Sequence, residues 1–235
     1  MDDPRRSLWS DRRRTSVGVI GFYHAGHDEP WDSLCGAPFL GNFFDVGEMK
    51  FEVPSFPGPR SFTNSEAAFQ ASKFWRDHVD EFSPCDGEQA FQLKKKLQGK
   101  EDRSYGGFGN RWLAMQAVLR AKFQPGTPLA TALLNTGDAW LLEHNPKRGR
   151  DKVWSDNCVG DGTNWLGLQL MLLRDELRGG VGIDHRRETW TEFIANSLDI
   201  TSGRPWHSPD NACAVAVLNA RDALVQRLES TTSTT

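Results

Sequence analysis

Hydrophobic and polar positions divide this chain into a short β-like region near the N-terminus and a longer helical region after it. Residues 17–23 have the β-branched and aromatic content of a strand. Residues 39–44 and 49–53 could pair with it, and Pro54, Pro57, Gly58 and Pro59 then predict a turn. From residue 63 the helical period takes over, with helices expected over 63–75, 88–97, 110–123, 128–135 and 164–177. A short strand at 139–143 interrupts them. The 164–177 segment is the most apolar, with Leu166, Leu170, Leu173 and Leu177 on one face, and is expected to run through the core. After Gly179 and Gly180, two amphipathic helices at 188–197 and 211–228 flank a turn-rich stretch at 201–205. In the second, Ala214, Val217, Leu218, Leu224, Val225 and Leu228 make the apolar stripe. The expected class is α+β, predominantly helical, with a minor β-sheet. Its organisation reads as a flexible arm (1–16), a main domain (17–179), a C-terminal helical extension (180–229) and a disordered tail (230–235).

Within the 63–75 helix, Glu66, Gln70 and Lys73 share one face at i, i+4 and i+7 among Ala67, Ala68, Phe69, Ala71, Phe74 and Trp75. A carboxylate and an amine held beside packed apolar surface suggest a site. The structural alternative is a capping box between Thr63 and Glu66, with Lys73 a surface charge.

Composition changes this picture little. At 235 residues the chain can bury a substantial core, and 38% hydrophobic with 25% charged residues is ordinary for a globular protein. A net charge of -3 leaves any nucleic-acid contact to local patches. The arginine-rich N-terminus, broken by Asp2, Asp3 and Asp11, reads as a solvated or phosphate-seeking arm. Cys35, Cys85, Cys158 and Cys213 form no CxxC pair and read as free thiols of a reducing compartment. His24, His27 and Cys35 match no metal-binding spacing, so no metal and no cofactor are expected. No apolar run reaches the roughly 20 residues that span a bilayer. A cytoplasmic monomer is expected, or a nuclear one in a eukaryote.

Two further clusters could carry chemistry. The loop from Asp151 to Asn164 contains Gly160 and Gly162 and leads into the buried helix, which suggests a phosphate seat at its N-terminus. An ordinary glycine-rich loop with an N-cap is the alternative. Tyr105, Phe108 and Trp112 form an aromatic cluster that could stack a nucleobase or simply pack in the core. Carboxylates, a phosphate seat and an aromatic platform together suit a nucleotide-sugar ligand whose glycosidic bond is attacked.

The motifs, in order, are Phe22-Tyr23, Leu40-Gly-Asn-Phe43, Ser65-Glu-Ala-Ala-Phe-Gln-Ala-Ser-Lys-Phe74, Leu119-Arg-Ala-Lys-Phe123 and Leu134-Asn-Thr-Gly-Asp138. Asp151-Lys-Val-Trp154 and Gly160-Asp-Gly-Thr-Asn-Trp-Leu-Gly167 follow, with Leu170-Met171 and Arg174. Over roughly residues 19 to 178 this series resembles the NADAR, or YbiA-like, family. The resemblance implies a compact, mostly helical domain that cleaves N-glycosidic bonds. Some members remove ADP-ribose from the guanine amino group of nucleic acid, and others hydrolyse phosphoribosylamine intermediates of riboflavin synthesis. It places catalytic roles on Glu66, Lys73 and Asp151; together with the residue patterns above, substrate contacts are expected from Tyr23, Asn42, Gln70, Trp112, Trp154, Gly160, Gly162 and Asn164. Where the family carries a site tryptophan this chain has Gly107, so Trp112, Phe108 or Tyr105 is expected to substitute. That departure and the C-terminal extension favour the ADP-ribosyl-guanine branch, with ADP-ribosylated nucleic acid as partner. A non-catalytic ADP-ribose-binding module is the competing class.

Overall fold

A computed structural model of the chain describes residues 18–23, 29–179, 190–202 and 211–232. The expected arm, His24, His27 and most of the 201–205 turn lie outside the described residues. The architecture is α+β and mostly helical. Strand β1 (Val19–Phe22) pairs in parallel with β4 (Trp140–Glu143), and β2 (Met49–Val53) pairs antiparallel with β3 (Phe56–Phe62).

Two sequence expectations fail here. Residues 39–44 form no strand; Pro38–Leu40 make a 3-10 turn instead. Pro54 does lie in the turn between β2 and β3, but Pro57, Gly58 and Pro59 belong to β3 itself, the edge partner of β2. A two-stranded sheet leaves one side of each strand without ladder bonds, so Pro57 and Pro59 are tolerated there. Strand β2 alternates as its pattern requires, burying Met49, Phe51 and Val53 and exposing Lys50 and Glu52.

Helices α1 (Pro30–Cys35), α2 (Ser65–Ala71), α3 (Trp75–Phe82), α4 (Gly87–Lys96), α5 (Arg111–Lys122) and α6 (Pro128–Asn135) surround helix α7 (Trp165–Arg178) and the sheets. Every residue of α7 from Trp165 to Arg174 is buried. The expected 63–75 helix is two helices, α2 and α3, joined by i→i+3 bonds from Lys73 N to Gln70 O (3.1 Å) and from Phe74 N to Ala71 O (2.8 Å). That tight turn folds Lys73 back over the end of α2.

The C-terminal segments pack on this core. Trp190, at the start of α8 (Trp190–Ala195), is buried edge-on against Trp140, with ring centroids 5.1 Å apart. Helix α9 (Ala212–Thr232) runs past the expected end at 228 and into the segment expected to be disordered. It buries Cys213, Ala216, Val217, Ala220 and Leu224, whereas Leu218, expected in the stripe, is 43% exposed.

Candidate functional site

The ends of β1 and β4, helices α2, α4 and α5 and the loop before α7 enclose a cavity of about 370 Å³. Asn64 caps α2 by accepting from Ala67 N at 2.8 Å, while its Nδ2 donates to Cys85 O at 2.9 Å. The Thr63–Glu66 capping box is therefore not formed. Instead Glu66 N donates to Asn42 O (3.0 Å), and the Glu66 carboxylate turns into the cavity.

There Gln70 bridges the acid and the amine. Its Nε2 donates to Glu66 Oε1 at 2.7 Å, and its Oε1 accepts from Lys73 Nζ. The three residues are only 8%, 6% and 8% exposed, so the stripe is a wall and not a solvated face. Burial raises the Glu66 carboxyl, against the Gln70 hydrogen bond and the Lys73 charge that hold it down. Burial also lowers the Lys73 amine to about 8, opposed by Glu66. Lys73 Nζ stands 5.1 Å from the centre of the Phe69 ring, a cation–π contact that favours its charged form.

Asp151 faces this wall from the other side. Its Oδ1 accepts from Val153 N (2.8 Å) and Trp154 N (2.9 Å). Burial raises its carboxyl, while those two bonds, Arg111 and Arg150 favour the anion. Arg150 stands over Tyr23, 5.7 Å from the ring centre, and burial pushes the Tyr23 hydroxyl up to about 12. Asn42, Gln70, Tyr23 and Trp154 all line the cavity, together with Glu66, Lys73 and Asp151.

Four expected contacts are placed elsewhere. Trp112 is fully buried, donates Nε1 to Ile200 O at 3.0 Å and packs edge-on against Trp165. Phe108 stacks on Phe51. Of the three aromatics considered, only Tyr105 lines the cavity, stacked on Phe69 at 5.9 Å. Gly107, at φ 99°, offers no room for a tryptophan, since a Cβ there would lie 2.4 Å from Ser55 Oγ.

Gly160, Gly162 and Asn164 do not form a phosphate seat. The N–H groups of Thr163, Asn164, Trp165 and Leu166 donate to the carbonyls of Lys152, Ser155, Val153 and Trp154 at 2.8–3.2 Å. The donors that an anion would use are thus taken by the chain itself. Gly162 permits this lock, because a Cβ would lie 2.2 Å from Ser155 O. Asn164 is buried in the left-handed region, receiving Glu143 N and donating to Leu141 O, both at 2.9 Å. Gly160, Gly162 and Asn164 therefore stay out of the cavity, and the bonds around them hold the first half of the same loop, whose Asp151 and Trp154 line it.

Sequence reasoning missed Glu143, Asn145, Arg111, Arg150, Phe91 and Lys94, all of which line the cavity. Glu143 was findable: a carboxylate that ends the apolar run Trp140-Leu-Leu is costly unless it is used. The others sit on loops or exposed helix faces, where charges are commonplace. No group of three metal-ligating side chains occurs among the described residues, and no helix among them is long and apolar enough to cross a membrane.

Comparison with known proteins supplies the context. Residues 37–178 match the NADAR domain. The chain is 38% identical over 133 residues to a riboflavin biosynthesis protein of Vibrio vulnificus, a match covering 56% of this chain but only 34% of that longer protein. It is 30% identical over 169 residues to the N-glycosidase YbiA of Escherichia coli, covering 68% of this chain and 88% of that one. The solution structure of the Escherichia coli protein YbiA superposes with a TM-score of 0.54 at 24% identity, covering 77% of this chain and 99% of that chain; at that identity the likeness concerns the fold.

Proposed function

The chain belongs to the NADAR family, and on that premise we propose that it is an N-glycosidase hydrolysing the bond between ADP-ribose and the guanine amino group of nucleic acid. The observation that carries the reading is the buried Glu66–Gln70–Lys73 relay facing Asp151 in one cavity with Tyr105, Trp154 and three cations. Cleaving a glycosidic C–N bond builds positive charge on the anomeric carbon and negative charge on the departing nitrogen. Glu66 or Asp151 stabilises the first and orients water. Lys73, whose amine burial lowers to about 8, assists proton transfer or exchanges with guanine on the ring-opened sugar, after which water releases the lysine.

The rim favours a ligand with more than one phosphate and more than one flat surface. Arg150 lies over Tyr23 and Lys94 over Phe91, at 5.7 and 5.9 Å, and Arg111 lines the same cavity. The same relay would serve a phosphoribosylamine, and the identity to the Vibrio riboflavin biosynthesis protein favours that second reading. A binding module without turnover would have no use for the buried acid–amine relay.

The test is release of free ADP-ribose from a guanine-modified oligonucleotide, followed by mass spectrometry, for the wild type, Glu66→Gln and Asp151→Asn. The wild type is expected to release it and both variants to lose release while remaining folded. Full activity in either variant removes that acid from the mechanism. Borohydride added during turnover is expected to trap the sugar on Lys73 if the exchange route operates, and an unmodified lysine eliminates that route.

A further inference from the structure

Of the four carboxyls that line this cavity Glu88 is exposed, and the surroundings of the other three, Glu66, Glu143 and Asp151, differ in a way that divides their labour. Glu66 receives a hydrogen bond from Gln70 and lies within reach of the Lys73 charge. Asp151 receives two backbone N–H bonds and feels Arg111 and Arg150. Glu143 has no such support: its Oε2 is buried and has no hydrogen-bond partner among the described residues. Desolvated acids in mutual range disfavour one another's anions, and a proton is held most readily where no donor or cation favours the anion.

We propose that Glu143 is a third catalytic carboxyl, the acid that gives its proton to the nitrogen leaving the anomeric carbon. This role rests on the N-glycosidase reading above. As the C–N bond breaks, its electron pair goes to the guanine nitrogen, which takes the Glu143 proton. Water adds to the anomeric carbon and passes a proton to Asp151 or Glu66, and proton exchange among the carboxyls restores the starting state.

The backbone is built to hold such an acid. Glu143 closes β4 opposite Phe22, its N–H donates to Asn164 Oδ1 at 2.9 Å, and its carbonyl accepts from Asp156 N at 3.0 Å. The next two residues are fixed by Asp156, which pairs with His144 Nδ1 at 2.5 Å and accepts from Asn145 N at 3.0 Å. A rigid strand end, pinned on both backbone groups, leaves only the side chain to move. The groups around it agree in sign: burial, Asp151, Glu66 and Asp156 all raise the Glu143 carboxyl well above the ordinary carboxylate range.

Two measurements on Glu143→Gln test the proposal. Infrared difference spectra of the unliganded protein at neutral pH are expected to show a protonated-carboxyl band that the variant lacks; an identical spectrum overturns the proposal whatever the substrate. Kinetics then compare the guanine-modified oligonucleotide with ADP-ribose bearing a 4-nitrophenoxy group at the same carbon, which departs as a stable anion and needs no acid. Loss of a general acid costs ~10²–10⁴-fold, so the variant is expected to lose that factor on guanine and far less on nitrophenoxide. Glu143→Asp, which keeps an acid on a shorter arm, is expected to recover part of the guanine activity. Equal losses on both substrates in a folded variant overturn the role. A wild type that cleaves only nitrophenoxide removes the substrate reading, and the infrared band then judges Glu143 by itself.

Discussion

Gln70→Leu removes the bridge between the acid and the amine while leaving apolar volume in its place, which isolates the electrostatic work of one amide. In the native site Gln70 donates to Glu66 Oε1 at 2.7 Å and accepts from Lys73 Nζ. Both bonds favour the charged forms, so their loss moves the Glu66 carboxyl further up and the Lys73 amine further down. A hydrogen bond to a charged group is worth about 1.5–3 kcal/mol, and 1.36 kcal/mol displaces a titration midpoint by one pH unit. Lys73, near 8 in the native protein, is therefore expected to titrate roughly one to two pH units lower in the variant. At neutral pH the charged amine is then depleted and the Glu66 anion is less favoured, and turnover falls. The assay is an NMR pH titration of lysine-labelled protein, with the Lys73 resonance assigned through Lys73→Met. A Lys73 midpoint unchanged from wild type would refute the relay, as would an upward shift.

Two other predictions concern the scaffold. Lys122 is buried against Phe44 and Phe123, donates to Gly41 O at 2.8 Å and is lowered by burial to about 7 from an ordinary value of 10.5. Between those two pH values the unfolded chain binds a proton that the folded chain does not, so stability rises with pH across that window and is flat below it on this account. In Lys122→Met the rise measured by urea unfolding at pH 7 and 9.5 is expected to shrink, leaving the smaller contribution of Lys73; an unchanged rise contradicts this. Asn164→Ala abandons two buried backbone partners, Glu143 N and Leu141 O, at a cost of about 2–5 kcal/mol. Thermal unfolding checks that loss, and a variant as stable as wild type would show that Asn164 does not hold the strand end.

The site's centre could be read from the sequence because it lies within one short stretch, Glu66 and Gln70 on α2 and Lys73 in the turn that follows it. Glu66, Gln70 and Lys73 follow helical spacing, and their apolar neighbours announce burial. Helices α4 to α7 were legible from local periodicity in the same way, and Asn110 and Pro128 stand at the expected starts of two of them. Contacts made across the fold were not. No glycine or proline marks the break between α2 and α3, where Lys73 O accepts from the distant Asp102 N at 2.7 Å instead of continuing a helix ladder. The prolines of β3 signal a turn unless the strand is known to be an edge. Gly160 and Gly162 look like an anion cradle until the carbonyls of residues 152–155 are seen to occupy the same N–H groups. Trp112 and Tyr105 are equivalent in composition, and only the fold assigns one to the core and the other to the cavity.

The central claim is tested most directly by kcat/KM for the purified chain on an ADP-ribosyl-guanine oligonucleotide and on a riboflavin-pathway phosphoribosylamine, measured side by side. The account predicts hydrolysis of both C–N bonds with the oligonucleotide clearly preferred. Preference for the phosphoribosylamine would contradict the substrate assignment, and turnover of neither would contradict the N-glycosidase reading itself.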